Sequence, residues 1–294
     1  MILHDSQNYS VLDIHSHFAG DITRFDPTIA IIFEKLQAKQ SFSQRHVGRD
    51  PGALLDYLDS EGVDQVCILA EEGPPTNYSV DSGFCCGYAA QAPDRIFAIG
   101  NVNPRIETNV GRRCQQLVCA GVRGFKIYGS DHNVDPFDRR LSPLYEVCNE
   151  RHLPVLFHSG TASRYPMTNP RFGEPLYFEP LFARYPQIPF VMCHGGKGGQ
   201  HLECLRLVRD YPNTFIDISD MPGAILAQVC SDDLADRFVF GSDMPQFLGY
   251  SNLLRRVLDL ALSADSKRKM LYDNGAKLLG LRCSNASSAA PVAH

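Results

Sequence analysis

The strongest constraint on the fold is a rhythm in the sequence: eight short apolar runs, interleaved with segments of helical spacing. The runs are 11–18, 65–70, 96–102, 124–128, 154–158, 189–194, 214–217 and 238–243. Runs of this length are too short for buried helices and read as buried strands. Between them, helical spacing covers 52–58, 108–120, 143–152, 175–185, 199–211 and 222–235. A strand followed each time by a helix implies βαβ units and a parallel sheet. Eight such units in 294 residues point to an α/β fold, a (β/α)8 TIM barrel. A doubly wound open sheet competes with it, but no glycine-rich phosphate turn follows any run.

One domain is expected over residues 1–283, with the active site at the C-terminal ends of the strands. Three loops are longer than a barrel requires: 18–50, with a helix near 28–38, then 129–142 and 159–174. All three follow strands and belong on the catalytic face, where long loops form lids and substrate walls. A closing helix is expected over 266–279. The polar tail 284–294 has too few apolar residues to pack and is expected to be disordered.

Composition narrows the partners. The formal net charge is −5 and no basic run appears, so nucleic acid is not expected. No run approaches the roughly 18 apolar residues of a membrane helix. The segment Met1–Ser6 lacks a basic stretch leading into an apolar one, so no secretory signal is expected. Ten cysteines are many, yet no C-x-x-C pair exists, and Cys67, Cys193 and Cys230 lie in apolar stretches. Free thiols in a reducing cytoplasm are expected.

The polar residues inside the runs carry the chemistry. In Val11–Phe18, strict alternation sets Leu12, Ile14 and Ser16 against Asp13, His15 and His17. His15 and His17 end the first run, Lys126 lies in the fourth, His158 ends the fifth, His194 the sixth and Asp243 the eighth. A barrel brings these ends to one rim. Imidazoles with a carboxylate suit zinc or a similar divalent ion, which lowers the pKa of bound water to about 7. A lone histidine at a strand end is more often structural, but four with an aspartate at such ends form a set. Asp13 fits support of a histidine better than ligation. Lys126 and Tyr128 face the barrel interior by alternation. A buried lysine there is neutral, grips an anion, is carboxylated to bridge two metals, or pairs with an acid such as Asp217.

At these residues the chain resembles the amidohydrolase superfamily, in particular its amidohydrolase-2 branch, which includes aminocarboxymuconate-semialdehyde decarboxylase. The matching pieces are Asp13-Ile14-His15-Ser16-His17, Gly124-Phe125-Lys126, Phe157-His158-Ser159-Gly160, Cys193-His194-Gly195-Gly196 and Phe240-Gly241-Ser242-Asp243-Met244-Pro245. The closing 269–281 stretch also resembles that branch. The resemblance implies that His15, His17, His158 and Asp243 hold a catalytic metal, usually zinc, with manganese or another divalent ion as the alternative. It implies that Asp243 also takes a proton from water. His194 then polarises the substrate, moves protons or helps hold a second metal. Lys126 stands where binuclear members carry a carboxylated lysine, so one or two metals remain open. Many decarboxylases of the branch have Glu in the first-strand motif, whereas this chain has Asp13, a departure that favours hydrolysis.

The expected function is therefore a metal-dependent hydrolase that opens an amide, lactam, lactone or other ester of a small molecule with metal-activated water. Asp243 and His194 are its catalytic residues, the latter facing the developing oxyanion. The alternative is a non-oxidative decarboxylase of an aromatic or unsaturated acid, with Arg164 and Arg171 gripping a carboxylate. A non-catalytic ligand-binding barrel predicts missing ligands, and the set is complete. Substrate contacts are expected from Tyr128, Arg164, Tyr165 and Arg171. Phe172 and Tyr177 are expected on the apolar wall, and Asp131, His132 and Arg139 against polar groups. A homodimer is what the branch resemblance suggests.

Overall fold

The computed structural model describes residues 9–19, 31, 47–73, 79–161, 169–245 and 249–281. Its strands are β1 Leu12–Ser16, β2 Gln65–Leu69, β3 Ile96–Asn101, β4 Phe125–Ile127, β5 Val155–Gly160, β6 Phe190–Lys197, β7 Thr214–Asp217 and β8 Phe238–Val239. They pair in parallel and in sequence order. Backbone bonds join the last strand region to the first: the Ile14 N–H donates to the Phe240 carbonyl at 3.0 Å, and the Asp243 N–H to the His15 carbonyl at 2.7 Å. This is the (β/α)8 barrel that the alternating pattern predicts.

The described helices are α1 Pro51–Glu61, α2 Ser82–Ala89, α3 Val110–Cys119, α4 Gly129–His132, α5 Ser142–Arg151, α6 Pro175–Arg184, α7 His201–Asp210, α8 Gly223–Val229, α9 Tyr250–Leu258, α10 Ala264–Arg268 and α11 Asn274–Leu278. Local chemistry sets their ends. For α1, the Asp50 carboxylate accepts from the Gly52 and Ala53 N–H groups, Pro51 occupies the first turn, and Gly62 closes the helix at φ 72°. The 222–235 segment is shorter as a helix than its spacing predicts. Cys230 takes an extended conformation, and a 3-10 turn over Asp232–Arg237 follows. The closing segment is likewise broken by a π-helical turn, Lys269–Asp273. Helices α2 and α9 are not among the segments anticipated from spacing. Of the helix near 28–38 only Ile31, which is helical, is among the described residues, and the tail 284–294 lies outside them.

Two apolar populations alternate along the strands. Val66, Ile68, Phe125, Phe157, Phe190, Met192, Ile216 and Phe238 pack with the helices in the larger core. The opposite parity, including Cys67, Leu69, Phe97, Ile99, Leu156, Val191, Phe215 and Val239, forms a second, inner cluster. That cluster plugs the barrel. The polar residues of the same inward parity come at the C-terminal ends of the strands, above the plug.

β1 breaks the simple alternation. Asp13 pairs with Val66 and Ser16 with Ile68, so three steps along β1 match two along β2. This bulge inserts one extra residue. Leu12 and Ile14 therefore join the inner plug, while Asp13 turns to Ser242 and Tyr250. His15 and His17 still reach the rim together, but Asp13 does not share their face. Strict period-two reading fails here because it presumes an unbulged strand.

The nine described cysteines are free thiols. No helix among the described residues is long and apolar enough to cross a membrane.

Candidate metal centre

At the C-terminal rim, His15, His17, Lys126, His158, His194 and Asp243 converge, each 7% exposed or less. The Nε2 atoms of His15 and His17 lie 3.3 and 3.2 Å from Asp243 Oδ1. His194 Nε2 lies 3.2 Å from His158 Nδ1, and Lys126 Nζ lies 3.2 Å from His15 Nε2. Six residues spread over some 230 positions are thus brought within one shell by the barrel.

The backbone is set up for this. His194 and Asp243 adopt φ values of 60° and 54°, in the left-handed region that non-glycine residues avoid. Strain of this kind costs on the order of 1–3 kcal/mol and gathers at functional sites. Gly241 precedes the Ser242-Asp243 turn for a steric reason. A Cβ there would stand 2.2 Å from Asp217 Oδ1 and 2.9 Å from the His15 Cβ. Only glycine lets the chain just after β8 pass so close to these two side chains.

Behind the rim, the end of β7 and the residues just after it supply two groups that were not anticipated in these roles. Asp217 Oδ2 lies 2.6 Å from His15 Nδ1, and Ser219 Oγ lies 3.0 Å from His194 Nδ1. Asp217 was weighed as an ion-pair partner for Lys126. It turns to His15 instead, and among the described residues no carboxylate oxygen lies within 4.0 Å of the lysine Nζ. A signal was present: Phe215, Asp217 and Ser219 share the inward parity.

Burial and neighbouring charge fix the protonation states. Burial alone would raise Asp243, but the facing His15, His17 and His194 rings hold its carboxyl well below the usual range. Asp217 is also lowered, with burial overcome by His15, the Ser219 N–H and Lys126. Burial, reinforced by Lys126, lowers His15; burial lowers His194 further. Asp13 is the contrast: full burial lifts it to about 7 despite donors from Ser242, Tyr250 and the His15 backbone. Asp13 therefore supports the Ser242-Asp243 turn rather than an imidazole ring.

This donor set fits a divalent cation. His15, His194 and Asp243 each offer a ligand atom within 4.8 Å of the others, and all are buried. Asp243 Oδ2 is buried with no hydrogen-bond partner among the described residues. A second grouping, His15, Cys193 and Asp217, meets the same distance test but fits less well. Burial pushes the Cys193 thiol up, and a protonated thiol is a poor ligand.

The substrate-contact expectations fare unevenly. Tyr128 lies by the cluster, its ring 5.4 Å from Lys126 Nζ and its hydroxyl donating to the Ala70 carbonyl at 3.0 Å. Arg164 and Tyr165 lie outside the described residues. Arg171 is not brought to the histidines: it is exposed, with its guanidinium 4.8 Å from the Tyr177 ring. The Tyr177 hydroxyl in turn bonds Asp135. Arg171 belongs to the 3-10 turn Pro170–Gly173. Phe172 lies in that same turn, its ring 6.1 Å from Tyr177. Asp131 is buried with Oδ2 3.8 Å from His158 Nε2, His132 Nε2 is 3.8 Å from Glu71 Oε1, and Arg139 is exposed.

The amidohydrolase family model matches residues 13–281. No curated protein matches the chain. Among solved structures, an uncharacterised TIM-barrel protein from Bordetella bronchiseptica shares 20% identity at a TM-score of 0.77, covering 92% of this chain and 98% of that one. A 5-carboxyvanillate decarboxylase from Novosphingobium aromaticivorans with bound manganese shares 16% at 0.65, over 94% and 98%. A probable 2-pyrone-4,6-dicarboxylic acid hydrolase from Acinetobacter baumannii shares 13% at 0.65, over 92% and 100%.

Proposed function

The chain belongs to the amidohydrolase family, and from that premise we propose that it is a metal-dependent hydrolase opening an amide, lactam, lactone or other ester bond of a small molecule. Asp243 is the observation that carries this reading. Its Oδ1 faces His15 and His17, while its buried Oδ2 has no hydrogen-bond partner among the described residues. The resident ion is zinc or manganese, held by His15, His17, His158 and Asp243. When bound, such an ion supplies Lewis acidity and a water nucleophile that works at neutral pH.

The protein's own groups do the rest. Asp243 is ionised and accepts the nucleophile's proton at Oδ2, then returns it to the leaving group. Lys126, wholly buried, places its Nζ beside His15 at the edge of the reacting site. The Tyr128 ring walls one side of the site. Asp13 favours hydrolysis over decarboxylation. The first-strand carboxylate is engaged by Ser242 and Tyr250 and does not join the cluster. Arg171, exposed against Tyr177, offers no carboxylate grip at the centre.

A metal-stripped enzyme reloaded with zinc or manganese tests this against lactones, amides and esters, alongside a panel of aromatic acids. Metal-dependent hydrolysis without carbon dioxide supports it. Carbon dioxide from a turned-over acid establishes the decarboxylase, and inactivity of the metal-loaded protein towards every class favours a binding barrel.

A further inference from the structure

We infer that one buried carboxylate on β7, Asp217, dictates the proton positions of three histidines, directly at His15 and through Ser219 at His194 and His158, so that each ring carries its proton on Nδ1 and leaves Nε2 unprotonated. The use of those nitrogens rests on the metal-dependent reading above; the proton positions do not.

Proton counting gives the result. An ionised carboxylate only accepts. Asp217 Oδ2 lies 2.6 Å from His15 Nδ1 and 2.8 Å from Ser219 Oγ, so it takes both protons. Its Oδ1 accepts the Ser219 backbone N–H at 2.8 Å. The Ser219 hydroxyl has one proton, already directed at Asp217, and towards His194 Nδ1 at 3.0 Å its oxygen can only accept. His194 therefore carries its proton on Nδ1.

A neutral imidazole with Nδ1 protonated has its lone pair on Nε2. His194 Nε2 faces His158 Nδ1 at 3.2 Å, so His158 donates there and keeps its own lone pair on Nε2. The chain runs from Asp217 through Ser219 and His194 to His158, with His15 as a branch. Distance alone groups His15, His194 and Asp243. The proton chain adds that each of the three rings keeps its lone pair on Nε2, which on His15 faces Lys126 Nζ and on His194 faces His158 Nδ1, both at 3.2 Å. It also denies a neutral His194 any N–H for an oxyanion, which makes it a positioning residue here. A hydrogen bond at one ring nitrogen in this way sets which nitrogen a metal meets.

The test is long-range proton–nitrogen correlation on the metal-stripped full chain labelled with nitrogen-15 histidine. Nδ1-protonated tautomers are expected for His15, His194 and His158. Ser219→Ala should leave His15 unchanged and release His194 and His158 into mixed tautomers. Asp217→Asn keeps an oxygen for the Ser219 N–H and turns a donor on His15, so it should move the His15 proton to Nε2. An Nε2-protonated His194 in the wild type, or unaltered His194 and His158 signals in Ser219→Ala, overturns the inference. Zinc titration reads the premise separately, with an affinity loss on the order of 10-fold expected for Ser219→Ala. A wild type with these tautomers that takes up no zinc upholds the relay and removes the metal reading.

Discussion

The same eight strands build two unlike regions. Below, inward side chains such as Leu156, Val191, Phe215 and Val239 close the barrel with apolar contacts. Above, His158 and Asp217 take the next inward positions, and His194 joins them where β6 leaves strict alternation at a φ of 60°, all three buried and polar. The plug gains from burial directly, at roughly 25 cal/mol per Å² of apolar surface. The rim incurs desolvation and offsets it through mutual contacts, which leaves groups such as Asp243 Oδ2 facing the site without a protein partner among the described residues. One region holds the fold, and the other uses the rigidity that the first supplies.

Substitutions in the two regions should therefore dissociate activity from stability. Asp243→Asn should cost activity on the order of 10³-fold, about 4 kcal/mol, while the denaturant midpoint at neutral pH falls only modestly. Turnover near wild type would remove Asp243 from the mechanism. Leu156→Ala should do the reverse, lowering unfolding free energy by about 3 kcal/mol with unchanged activity per folded molecule. Urea titrations paired with active-site counting read both quantities. A plug variant that loses turnover in proportion to none of its unfolding would show the two regions to be coupled.

The pH dependence sharpens the contrast inside the rim itself. Asp13 is raised from 3.8 to about 7, so its folded form binds a proton more tightly than the unfolded chain does. Its contribution to stability is present below about pH 4 and fades as pH climbs to 7, with a slope no steeper than about 1.4 kcal/mol per pH unit. Asp243 and Asp217 are lowered, so theirs is present at neutral pH and fades as the solution is acidified below about 4. Urea midpoints between pH 4 and 7 should fall less in Asp13→Asn than in the wild type. Equal slopes would show that Asp13 is already ionised across that range. The smallest effect is expected at Arg171, whose loss to Ala should change stability by less than about 0.5 kcal/mol, being an exposed contact with Tyr177. A large loss of turnover in Arg171→Ala would bring that loop back to the substrate.

Much of this was legible in advance because two periodicities are local. All eight strands fall within their apolar runs apart from the C-terminal extension of β5 and β6, and α3, α5, α6 and α7 match their spacing within two residues. His15, His17, His158, His194, Asp243 and Lys126 stand out as polar residues where apolar ones should be. What failed had a local cause of another kind. The β1 bulge reversed Asp13 without any sign in composition, since a one-residue slip leaves the same letters in place. Arg171 looks like any loop arginine, and its contact with the Tyr177 ring is visible only in the folded chain.

The sequence by itself determined the barrel and the identity of its polar rim, because alternation and strand ends depend only on neighbours along the chain. The tertiary structure alone decided which partners those groups meet. Asp217 lies 202 residues from His15 in the chain yet 2.6 Å from its Nδ1. Hydrogen-bond direction and proton position are properties of pairs that meet across the barrel, and no local pattern encodes them.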